Sequence, residues 1–64
     1  MEDLIKLKEA LDNYKKYRGT LNVQLLFSAY NKANNDTENN WSCGGCIRRV
    51  MEKSVRILEK NNLL

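Results

Sequence analysis

Apolar residues recur every three or four positions through three segments of this 64-residue chain, and no proline interrupts them. This spacing is typical of amphipathic helices, which bury one face and leave the other in water. The segments span residues 3–18, 21–33 and 43–60, and the third is the longest. We therefore predict an all-α fold in which a single small domain holds three helices, with a polar loop over residues 34–41.

Residues at the ends of the first two segments support these boundaries. Asp3 is the expected N-cap of the first helix, and Thr20 or Asn22 is the expected N-cap of the second, because their side-chain oxygens can accept a backbone N–H. Gly19 is expected to adopt the left-handed conformation that often ends a helix. The first two helices should therefore be joined by a very short turn.

The third segment has its own start signal. Ser42 is a favourable N-cap residue. With Ser42 as the cap, Trp41 and Cys46 occupy the two positions of a hydrophobic staple, in which an apolar residue before the helix packs on one in its first turn. We therefore expect Trp41 to cover Cys46.

Length and composition disfavour catalysis. A chain of this size buries only about 60% of the surface that its unfolded form exposes, so its core is thin. A substrate pocket of a few hundred Å³ would consume most of that interior. The sequence contains no histidine, the commonest general base and metal ligand. We predict a non-enzymatic protein with no small-molecule substrate and no cofactor of its own.

Both cysteines lie in one short motif, Cys43-Gly44-Gly45-Cys46. Structural zinc needs four ligands, so Cys43 and Cys46 hold zinc only if a second chain completes a dimeric Cys₄ site. A redox dithiol usually accompanies strands, and no strand is predicted here. Alternatively, the cysteines pack as small apolar residues. In a further interpretation, Trp41, Gly44 and Gly45 form a docking corner, where the missing side chains let another protein approach closely.

The net charge of +3 is concentrated on the third segment. Its cations can form one basic face that contacts phosphates or an acidic protein surface, because like charges on one helix side add their fields. Glu52 and Glu59 lie between them, and Glu52 is spaced i, i+4 from both Arg48 and Arg56, so an ordinary solvated face is the alternative. The cations are Arg48, Arg49, Lys53, Arg56 and Lys60.

Some apolar residues exceed what a small core needs. Leu25 and Ala29 form a second apolar strip beside the main buried face of the second helix. Leu63 and Leu64 form an apolar tip that can fold back or dock elsewhere. A helix that is apolar over a wide arc is buried on more than one side. These residues are candidates for contact with another protein.

The segment Trp41-Ser42-Cys43-Gly44-Gly45-Cys46-Ile47-Arg48-Arg49-Val50 resembles the C-terminal part of small uncharacterised proteins of tailed phages, including phages of Bacteroidetes. Those chains also end in a CxxC motif followed by a basic amphipathic helix. The resemblance covers about the last third of the chain and transfers no catalytic residues. It implies a phage origin and a small accessory or virion-associated protein.

These observations combine into one expected function, protein–protein interaction as a phage component on a capsid, portal or tail. The partner is a larger protein assembly or a second copy of the chain. The alternatives are a nucleic-acid-binding protein that uses the basic face, and a small phage inhibitor of a host enzyme. The acidic start lacks the apolar region of a signal peptide, and the longest apolar run is residues 25–27. We therefore expect no secretion and no membrane partner, with location in the host cytoplasm or the virion.

Overall fold

The computed structural model describes residues 2–64, and this part of the chain is entirely helical apart from its connections. Helix α1 spans Glu2–Tyr17, α2 spans Thr20–Asn34 and α3 spans Gly44–Lys60. The predicted all-α fold with three helices is confirmed. Helix α3 is the longest, with 17 residues against 16 and 15 for the other two.

The connection between α1 and α2 is only two residues long. Arg18 is left-handed, with φ 59°, and its N–H reaches the Tyr14 carbonyl at 2.9 Å. Gly19 follows with φ 89° and ψ 158° and is the N-cap of α2. The left-handed residue that ends α1 is therefore Arg18, one residue before the predicted Gly19. Gly19 instead holds a conformation that essentially only glycine adopts.

The predicted caps of the first two helices are wrong. Asp3 lies inside the first turn of α1, where its charge still favours the positive end of the helix dipole. Helix α2 begins at Thr20 with no side-chain cap, and the Asn22 amide instead donates to the Arg18 carbonyl at 2.8 Å. This bond ties the start of α2 back to the end of α1, so it supports the turn.

The core lies where the three helices meet. Fully or nearly fully buried apolar side chains come from all three, so each helix contributes an apolar stripe to one shared interior. Ser54 is the one buried polar residue in the described chain, and its hydroxyl donates to the Val50 carbonyl at 2.7 Å. The buried apolar residues are Leu7, Leu11, Tyr14, Val23, Leu26, Phe27, Tyr30, Val50 and Leu58.

The end of α3 folds the chain back onto this core. Asn62 is left-handed, with φ 61°, and its N–H donates to the Glu59 carbonyl. The next N–H, of Leu63, donates to the Leu58 carbonyl at 2.8 Å, which completes a Schellman motif. Leu63 then packs against the core, whereas Leu64 stays exposed. Of the two predicted docking leucines, Leu64 is exposed and Leu63 is partly buried, and docking by either stays a prediction.

Candidate functional site

The start of α3 differs from the prediction by one residue. The helix is capped by Cys43, not Ser42, and the Cys43 sulfur accepts the backbone N–H of Cys46 at 3.2 Å. The extended backbone of Cys43, with φ −97° and ψ 113°, turns its side chain over the first helical turn. The thiol therefore does the capping that a serine hydroxyl was expected to do.

This shift removes the predicted staple. With Cys43 as the cap, the residue before it is Ser42 and the fourth helical residue is Ile47, so Trp41 and Cys46 are not the staple pair. Trp41 instead borders a shallow depression on α2, whose lining includes Gln24 and Ser28. Trp41 is consequently exposed beside α2, and Cys46, which is half-buried, is not among the residues around this depression.

The two thiols are electrostatically unequal. The neighbouring Cys46 thiol, acting as a donor toward the Cys43 sulfur, lowers the pKa of Cys43. The backbone N–H groups of Cys46 and Gly45 and the positive charge of Arg49 lower it further. The same interaction between the thiols, together with desolvation, raises the pKa of Cys46. Cys43 is therefore the first of the pair to become a thiolate, which is the nucleophilic form of cysteine.

Gly44 and Gly45 occupy the first two positions of α3. A Cβ built on either glycine has no atom within 4 Å, apart from its sequence neighbours and the helix's own backbone. Neither glycine has the positive φ seen at Gly19. No other part of residues 2–64 therefore packs closely against either glycine, and close approach by another protein stays a prediction. Gly44 and Gly45 leave an exposed surface without side chains between the two cysteines in the sequence.

Metal binding at this motif receives no support from the rest of the chain. In residues 2–64 no group of three or more potential metal ligands comes together. Cys43 and Cys46 offer two sulfurs, and four ligands are needed for a structural zinc site. The prediction of a Cys₄ site shared by two chains stays a prediction, and it requires a dimer joined at the start of α3.

The predicted basic face is divided into two parts. Arg49 pairs with Glu38 of the preceding loop at 3.4 Å. Lys53 is half-buried and close enough to Asp36 to help lower the pKa of that carboxyl group. Both acidic residues lie in the connection between α2 and α3, where helical periodicity makes no prediction about the position of a side chain. Arg48, Arg49, Arg56 and Lys60 are all exposed to solvent, and the exposed Glu52 and Glu59 are interspersed with them.

The loop over residues 35–43 is built by side chains that sequence reasoning did not single out. The Asn31 amide donates to the Glu38 carbonyl at 2.7 Å, and its oxygen accepts the Glu38 N–H at 2.9 Å. The buried Tyr30 hydroxyl donates to Asp36 at 3.0 Å and accepts from Asn34. Two general tendencies could have indicated these bonds. Asn and Asp side chains often hydrogen-bond to the nearby backbone, and a buried tyrosine hydroxyl usually has a hydrogen-bond partner.

The outer side of α2 exposes large apolar residues. Leu21 and Leu25 lie one turn apart and are 69% and 50% exposed, and Trp41 is 43% exposed. Leu25 and the partly buried Ala29 line a groove between α1 and α2. Ser28 lines both this groove and the depression bordered by Trp41, so the two are adjacent. The predicted second strip of α2 is therefore accessible to a partner.

No family model matches the chain, and no curated protein or solved structure is significantly similar to it. The resemblance of residues 41–50 to phage proteins therefore stays a prediction. Within residues 2–64, no helix combines the length and the apolar character that crossing a bilayer requires.

Proposed function

We propose that this protein is a non-enzymatic interaction module that binds a partner protein along the outer side of α2. The observation that carries the proposal is the exposure of Leu21 and Leu25 on one helix face. A chain that must bury as much apolar surface as it can gains nothing from leaving two leucines in water. Their burial against a partner would contribute favourably, at roughly 25 cal/mol per Å² of apolar surface removed from water.

The shape beside these leucines fits a helix better than a flat surface. A groove runs between α1 and α2, with Leu25 and Ala29 on its wall. Ala10 and Ala29 are small, so an apolar side chain of an incoming helix can settle between the two helices. Binding of an amphipathic helix in such a groove uses apolar anchors spaced one turn apart. We therefore propose an amphipathic helix as the binding element of the partner.

The charged residues along the groove indicate which charges the partner helix should carry beside its apolar face. Lys6 and Lys32 are exposed on its margin, together with Asp3 and Glu9, so both signs are represented. Because the groove is bordered by both positive and negative charges, it favours neither a strongly acidic nor a strongly basic partner. An apolar seam flanked by charges of both signs complements it best, because opposite charges then face each other on each side.

A pair of matched substitutions tests this surface. Leu25→Asp places a charge in the groove and should abolish binding while the fold survives, since Leu25 is half-exposed. Ile5→Asp is the control, because Ile5 is similarly exposed on α1 but does not line the groove. Sedimentation velocity of the purified proteins measures self-association. Crosslinking followed by reconstitution with the identified partner measures binding to a different protein. Equal binding by both variants and the wild type would contradict the proposal.

The finer proposal is that the partner belongs to a phage particle, on its capsid, portal or tail. It is supported only by the resemblance of residues 41–50 to small proteins of tailed phages. A mass-spectrometric inventory of purified virions addresses it directly. Presence of the chain in stoichiometric amounts would place it in the virion, whereas recovery on a single host enzyme would favour the inhibitor alternative.

Nucleic-acid binding is less well supported by the arrangement of charges. Arg49 is paired with Glu38, and Lys53 lies near enough to Asp36 to help lower the pKa of that carboxyl group, so acidic groups offset part of the predicted basic face. Binding to phosphates weakens steeply as salt increases, in proportion to the number of contacts. Titration of duplex DNA at low and moderate salt should show weak binding or none. Tight binding that Arg56→Ala reduces would instead favour the nucleic-acid alternative.

A further inference from the structure

The two cysteines at the start of α3 have a geometry that the α2 surface does not use. The Cys43 sulfur lies 3.2 Å from the Cys46 nitrogen, which places it over the turn that carries the second thiol. Residues three apart at a helical turn have their Cα atoms about 5 Å apart. Disulfides span Cα separations of roughly 4.4–6.8 Å. The pair can therefore close into a disulfide with little backbone movement.

We propose that Cys43 and Cys46 form a thiol–disulfide exchange site, in which Cys43 attacks an organic disulfide and Cys46 then displaces the attached group. The strand that redox dithiols usually follow is absent from residues 2–64. The N-cap position supplies the essential chemistry without it, because a helix N-terminus stabilises a thiolate through its free N–H groups and its dipole. The proposal does not rest on the interaction surface of α2.

The roles of the two sulfurs follow from their positions. Cys43 is the cap and accepts the Cys46 N–H, so negative charge on its sulfur is stabilised by a donor already in place. Arg49, in the second turn of the same helix, adds a positive charge on the side of α3 that carries the motif. Cys46 is the third residue of α3 and does not cap the helix, so its thiol is placed to attack the Cys43 sulfur once Cys43 has reacted. Cys43 is thus the attacking thiol and Cys46 the resolving thiol.

The two cysteines are partly accessible to solvent. Both are half-buried, and no metal-ligand cluster within residues 2–64 involves them. The surface beside them is formed by Gly44 and Gly45, where an added Cβ would meet open space. An incoming disulfide must align with the attacking sulfur, and side chains at these two positions would obstruct that path. Bare glycines therefore suit an exchange site better than they suit helix stability, which favours alanine.

The reaction balances in two steps. The Cys43 thiolate attacks one sulfur of the disulfide, the sulfur–sulfur bond breaks, and one thiol leaves after taking up a proton. The Cys46 thiol then loses its proton to solvent and attacks the Cys43 sulfur of the mixed disulfide. A second thiol is released, and a Cys43–Cys46 disulfide remains. The two protein thiols are oxidised and the organic disulfide is reduced to two thiols.

Glutathione disulfide is the probe for the first experiment, used in the presence of a chelator so that metal does not occupy the thiols. Mass spectrometry should show the wild-type chain losing two hydrogens with little persistent adduct. Cys46→Ser should accumulate a glutathione adduct on Cys43, because the resolving thiol is missing. Cys43→Ser should react about tenfold more slowly, since Cys46 lacks the N-cap position that promotes thiolate formation.

Unfolding supplies the control for this difference. In denaturing urea the two single-cysteine variants should react at similar rates, because the helix that distinguishes them is gone. Equal rates in the folded state, or a wild-type chain that collects glutathione adducts without closing its own disulfide, would overturn the proposal. A second arm offers two peptides joined by a disulfide. Faster exchange with the peptides identifies a protein disulfide as the substrate, and faster exchange with glutathione disulfide identifies a small molecule.

Discussion

The hairpin of α1 and α2 and the entry to α3 are held together in different ways. In the hairpin, apolar side chains such as Leu11 and Leu26 are completely buried, and a two-residue turn joins the helices. At the entry to α3, a nine-residue connection is fixed by polar bonds from Asn31, Tyr30 and Arg49. In the hairpin, the spacing of apolar residues along the chain determines which side chains are buried. At the entry to α3, the structure depends on individual polar side chains that meet only after folding.

The largest expected effect comes from the hairpin core. Leu26→Ala removes a fully buried side chain and should reduce the free energy of unfolding by about 2–5 kcal/mol. A chain of this size has a total stability of only about 3–10 kcal/mol, so urea unfolding should be followed at low temperature. Leu25→Ala is the matched control, because Leu25 is the neighbour of Leu26 in the sequence but is half-exposed. A similar loss for both variants would show that the α2 face has been assigned wrongly.

The turn of the hairpin should be the next most sensitive position. Gly19 has φ 89° and ψ 158°, so Gly19→Ala forces a side chain into a strained backbone conformation. The expected loss is about 1–3 kcal/mol in the free energy of unfolding, although nothing lies within 4 Å of the added Cβ. Thermal and urea unfolding of this variant measure the cost of backbone conformation alone. A stability equal to that of the wild type would mean that the turn can rearrange.

The polar connection has its own test at Asn31. Asn31→Ala removes both hydrogen bonds to the Glu38 backbone and should cost about 1–3 kcal/mol, because two backbone groups lose their partner. Hydrogen exchange of the Glu38 amide should accelerate far more than that of amides in α1. Asn39→Ala, at an exposed position of the same connection, is the control. Uniform acceleration across all helices would show that the connection is not a separate local unit.

Spacing along the sequence predicts the hairpin better than the entry to α3 for a physical reason. Helical periodicity identifies Leu7, Leu11 and Leu26 as core residues because burial depends on the face of the helix. It cannot choose between Ser42 and Cys43 as the cap, because both side chains carry an acceptor and lie one residue apart. The pairing of Arg49 with Glu38 spans eleven residues and depends on the path of the loop. Predicted docking at Gly44 and Gly45 remains a matter for binding experiments.

Replacement of glycine by alanine should have opposite effects on stability in the two regions. Gly19→Ala in the hairpin turn should destabilise the fold, whereas Gly45→Ala at the entry to α3 should stabilise it. Gly45→Ala lies in the first turn of α3, has an ordinary backbone and meets open space, so it should stabilise the helix by up to about 1 kcal/mol. The same substitution should slow exchange with glutathione disulfide. Unfolding by urea and the exchange rate, measured on one preparation, separate the two effects. Destabilisation by Gly45→Ala would mean that the glycine serves the fold after all.

The smallest expected effect is the acid dependence of the loop. The Thr37 N–H and the Tyr30 hydroxyl, which both donate to Asp36, lower the pKa of that carboxyl group below its ordinary value of 3.8. A group with a lowered folded-state pKa adds stability that is present above the unfolded value and is lost as the pH falls through the folded one. Stability should therefore decline below pH 3.8, modestly because the carboxylate is accessible to water. Asp36→Asn keeps an acceptor for Tyr30 and should flatten this decline, whereas Asp12→Asn, on the exposed side of α1, should leave it unchanged. Urea unfolding across this pH range compares the three proteins, and an equal decline in all of them would assign the acid dependence to carboxyl groups outside the loop.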